Sequence, residues 1–106
     1  MTRRDLFDWL SRRQPARPSA LAERMDQAVS GIPEDQLAAA PTLARALGAV
    51  GLAMLAEVTR LEPQADGLGL DLLAADAFVT YAFEAAAEQG EPIEPLAHAL
   101  VAEAAR

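Results

Sequence analysis

Between Thr42 and Leu61 the apolar residues Leu43, Leu47, Val50, Met54, Val58 and Leu61 recur at intervals of three and four. That period belongs to an α-helix and to no strand. The same spacing returns at Leu21, Met25, Ala28 and Val29, and again at Ile93, Leu96, Leu100 and Val101. No segment alternates with a period of two. The expectation is an all-α protein, a compact bundle of four to five helices with a short N-terminal helical arm. Hydrophobic residues make up 52% of the 106, much of it alanine, and aromatics only 5%. Alanine favours helix but buries little area, so the core must be leucine and alanine with few rings, and the helices must approach closely.

Breakers divide the chain. Thr2 and Asp5 resemble a capping box with Asp in the usual place of Glu, which starts a helix ending before 14-QPARP-18. A second helix is predicted from about Ser19 to Val29, closed by Ser30-Gly31. The stretch 32-IPEDQLAAAP-41 reads as a turn and a short helix, with Pro33 at a first-turn position. A long helix over about Thr42 to Leu61, the loop 62-EPQADGLGL-70, a helix over about Leu70 to Gln89 with Gly90 as its stop, and a last helix from about Glu94 to Ala105 follow. The division expected is an arm and linker over 1–18 and a bundle domain over 19–106.

On a second face, the helix over 42–61 carries Ala44, Gly48 and Gly51, with Leu52 and Leu55 beyond them. Glycine costs a helix interior about 1 kcal/mol, so two of them need a reason. Close packing of another helix supplies one. Gly48, Gly51, Leu52 and Leu55 are therefore the expected helix–helix interface, and a homodimer is the expected use of it.

The most distinctive polar feature is 3-RRDLFDWLSRR-13. Phe7, Trp9 and Leu10 stand beside Arg12 and Arg13, a mixture enriched at binding hot spots. Either Phe7 and Leu10 dock on the chain's own bundle, or the segment is a docking helix for a partner or an anionic membrane surface. Two aspartates weaken the membrane version. Residues 1–13 are expected to be separable from the bundle.

In 72-LLAADAFVTYAFEAAAEQG-90 the residues Asp76, Thr80, Glu84 and Glu88 lie at i, i+4 spacing and form one narrow polar stripe on an otherwise apolar helix. The stripe either faces water or lines a groove or subunit interface, where Asp76 would meet Arg45 or Arg60. The run "LLAADAFVTYAFEAAAE", followed by "PLAHALVAEAA", resembles a helix pair of the trans-isoprenyl diphosphate synthases, which carry a similar "LAGDALLTxAFE" helix. Asp76, Thr80, Phe83 and Glu84 match it, and Ala75 stands where that family has Gly. The resemblance spans residues 70–105 and implies a packed helix pair. That family's aspartate-rich motifs, which hold magnesium and diphosphate, have no counterpart here: nothing like DDxxD occurs.

Other chemistry finds few residues. There is no cysteine and one histidine, His98, four residues after Glu94. A Glu–His pair at that spacing can act as an acid–base unit, but the expectation is a surface residue. No Glu-x-x-His pair is present, so no metal and no cofactor is expected. The net charge is −7. Residues 1–24 hold six of the nine arginines against three acids, and the remainder holds three against thirteen. An acidic body is a poor match for nucleic acid. The longest uncharged apolar run, 46-ALGAVGLAMLA-56, is about half a membrane span, and no apolar leader follows the first arginines. The reading is a small cytoplasmic, non-enzymatic helical module that binds protein, self-associating as a homodimer. The alternatives are a ligand-binding or enzyme-like domain with its pocket between the helices over 42–61 and 70–89, or a peripheral accessory subunit of a membrane complex attached through residues 1–13.

Overall fold

A computed structural model describes residues 1–105. Among them are six helices and no strand: α1 (Arg3–Ser11), α2 (Ser19–Gly31), α3 (Glu34–Ala39), α4 (Leu43–Val58), α5 (Leu68–Glu88) and α6 (Ile93–Ala104). The class is as expected, and the helix count is one above the four to five expected; the short helix predicted within 32–41 is α3.

The ends follow local chemistry. Thr2 accepts a hydrogen bond from the Asp5 amide, and the Asp5 carboxylate accepts one from the Thr2 amide, which completes the predicted box. Thr42 caps α4 by accepting from the Arg45 amide, so this helix starts one residue later than predicted and ends at Val58 rather than Leu61. Gly67 precedes α5 at φ +80° and Gly90 follows it at φ +70°, a conformation that disfavours any residue with a Cβ. Pro33 and Pro92 occupy the N-cap positions of α3 and α6, one place earlier than the first turn; lacking an N–H, each sits where no helical donor is needed.

Helices α4 and α5 form the central pair. Leu43, Leu47, Val50 and Met54 of α4 meet Ala74, Ala75, Phe78 and Ala82 of α5 in a single core, to which α2 adds Met25 and Val29 and α6 adds Leu96 and Leu100. Both glycines predicted to permit close packing do so within the chain. A Cβ on Gly51 would lie 2.9 Å from the Phe78 Cβ and 3.1 Å from the Ala75 carbonyl oxygen on α5. One on Gly48 would lie 2.5 Å from a methyl of Leu100 on α6. The glycines therefore serve contacts inside one molecule and supply no argument for a dimer; of the four expected interface residues, only Leu52 and Leu55 remain at the surface.

Of the two readings of the N-terminal segment, docking on the chain's own bundle is the one that the packing displays. Leu6, Trp9 and Leu10 belong to the same buried cluster as Leu47 and Phe78. The segment 1–18 is thus seated on residues 19–105 and shares their core. The prolines of 14-QPARP-18 turn the chain without detaching it.

Candidate functional site

Helix α1 is fastened at both ends. At its start, Arg3 donates through Nε to the Val29 carbonyl at 3.1 Å, through one terminal nitrogen to the Ile32 carbonyl, and through the other to Glu34 at 3.0 Å. These carbonyls lie at the end of α2, where helical oxygens lack partners, so Arg3 satisfies them and complements the negative end of that helix. The Met1 ammonium donates to the Leu37 carbonyl at 3.0 Å.

At the other end the polar stripe of α5 comes into use. Trp9 is only 3% exposed, and its Nε1–H donates to Glu88 at 3.0 Å. Arg13 reaches Glu84 at 3.0 Å and Glu88 at 2.6 Å and lies 3.6 Å over the Trp9 ring. The Tyr81 ring meets Trp9 edge-on at 5.5 Å. Hydrogen bonds from Arg13 and then Trp9 hold the Glu88 carboxyl below the usual carboxylate range. Burial disfavours the charge on Arg13, but the bonds to Glu88 and Glu84 outweigh it and raise its affinity for the proton.

The sequence-predicted residues therefore divide. Trp9, Leu10 and Arg13 are engaged inside the chain, Phe7 is half-buried against the core, and Arg12 is exposed. Asp76, Thr80 and Glu84 are all exposed, as a water-facing stripe requires. The ion pair considered for Asp76 does not form. Arg60, just past the end of α4, pairs with Glu57 of that helix, and Arg45 lies along the side of α4 away from α5. His98 stands 3.9 Å from Glu94, both well exposed, which makes a weak surface pair. Among the described residues no group of three or more His, Asp or Glu is placed to hold a metal, and no helix is long and apolar enough to cross a membrane.

A pocket between α4 and α5 is closed at Gly51 by direct packing. A hollow of about 490 Å³ does open beside that junction, among α2, α3 and α4, with Val50 and Met54 on its floor and the Arg24–Asp71 pair at its rim.

The larger feature lies on the outer edge of α4. Two adjoining hollows of about 530 and 450 Å³ share Gln36, Ala49, Leu52 and Glu103 and make one groove. Its floor is the edge Arg45, Ala49, Leu52, Ala56 and Thr59, spaced alternately by four and three. That is the period of a seam that meets another helix. At 1.5 Å per residue the edge runs about 21 Å, or four turns. Helix α3 flanks it with Ala39 and Ala40, and α6 with Ala99 and Ala102. Leu55 beside the floor is 38% exposed, and Ala53 and Ala56 are exposed.

One polar group in the groove lacks a partner. The Nε of Arg45 is buried and donates to nothing. An unsatisfied buried donor costs about 1–3 kcal/mol. Sequence reasoning named Leu52 and Leu55 of this groove but missed Arg45 as part of it. The 4-3-4-3 spacing from Arg45 to Thr59 was the available signal, overshadowed by the stronger leucine stripe on the same helix. No family model, no curated protein and no solved structure matches the chain.

Proposed function

We propose that this protein is a non-enzymatic assembly module that binds protein by accepting a helix in the groove along the outer edge of α4. The observation that supports this reading is the seam itself: a four-turn edge with helical period, apolar between Arg45 and Thr59, with low alanine walls. Helix-in-groove recognition uses such a surface, with anchors at i, i+3, i+4 and i+7. The non-enzymatic part rests on the sequence, which has one histidine, no cysteine and no aspartate-rich motif. Self-association and a cytoplasmic location belong to the same proposal. The role of α1 in it is support: it packs on α2 and α4 and reaches α5 through Trp9 and Arg13, which helps keep the bundle rigid.

A titration tests the groove. A synthetic 14-residue amphipathic helix of alanine and leucine, with one glutamate in its first turn, is added to the ¹⁵N-labelled protein. The expected result is progressive amide shifts at Ala49, Leu52, Ala53 and Ala56. No shift at millimolar peptide, or shifts confined to the exposed Leu72 and Leu73 of α5, would overturn the reading.

A further inference from the structure

We draw no further inference here: the strongest candidate, the groove along the outer edge of α4 with the unpartnered Arg45 Nε at one end and Glu103 on its wall, belongs to the site already described, and nothing in the structure shows what covers it.

Discussion

Helices α5 and α1 both pack into the one core, yet they are held by opposite means. Helix α5 meets α4 through missing side chains: Gly51 and Ala75 let the backbones close until Phe78 fills the remaining space. Helix α1 meets the bundle through the far ends of long side chains, with Trp9 and Arg13 reaching Glu84 and Glu88, and Arg3 reaching the end of α2. Contact through small residues leaves no slack, so it resists enlargement. Contact through long side chains tolerates local change but depends on the ring beneath the polar ends.

The sharpest way to break the comparison is to remove that ring. Trp9→Ala deletes a side chain buried against Tyr81 and covered by Arg13. Emptying a buried aromatic site costs about 3–5 kcal/mol. Urea unfolding should show a loss of that order, a large share of what a domain this small has to spare. A loss under about 1 kcal/mol would mean that α1 is detachable after all, and would restore the separable arm predicted from 14-QPARP-18.

The glycines sharpen the other side. Gly51→Ala must displace the Phe78 Cβ and the Ala75 carbonyl, neither of which can rotate away, so overpacking should cost about 1–3 kcal/mol. Gly48→Ala meets only the flexible end of Leu100, and alanine regains about 1 kcal/mol of helix propensity. The two should therefore differ in chemical denaturation, with Gly48→Ala near the parent. Equal losses would show that α6 is packed as rigidly as α5.

The predictions above separate what is legible in the sequence from what is not. The stripe Leu43, Leu47, Val50, Met54 and Val58 could be read because its period is local, and so could the Thr2–Asp5 box and the Gly90 stop. That Asp76 and Thr80 face water also follows from a narrow stripe on an apolar helix. The seat of α1 could not be read, since Trp9 and Glu88 are 79 residues apart and only the fold joins them. Composition made Phe7, Trp9, Arg12 and Arg13 look like an interface, and they are one, but Trp9 and Arg13 face the chain's own α5. For the same reason Gly48 and Gly51 announced close helices without naming them. The unpartnered Arg45 is invisible to any pattern, because it is defined by the acids that fail to reach it.

The smallest expected effect concerns the polar ends alone. Glu88 accepts from both Arg13 and Trp9, and these bonds lower its carboxyl pKa in the folded state. A group whose pKa falls on folding stabilises the fold above its unfolded value, about 4.3 for a glutamate. That contribution is lost as pH drops through the lower folded value. Stability near neutral pH should then be insensitive to Glu88 titration, and a loss should appear only below about pH 4. Trp9, the single tryptophan, reports on the contact directly. Its emission should stay constant from pH 8 to about 5 and change as Glu88 gains a proton and Arg13 loses its closest anion. Glu88→Gln keeps an acceptor for the indole N–H but removes the charge, so it should flatten this acid limb while leaving the emission near neutral pH close to that of the parent. Because Glu88 is open to solvent, the limb should shrink in high salt. If the acid change in Trp9 emission persists unchanged in Glu88→Gln, the ionic end contributes nothing to seating α1, and the packing of the ring carries the contact by itself.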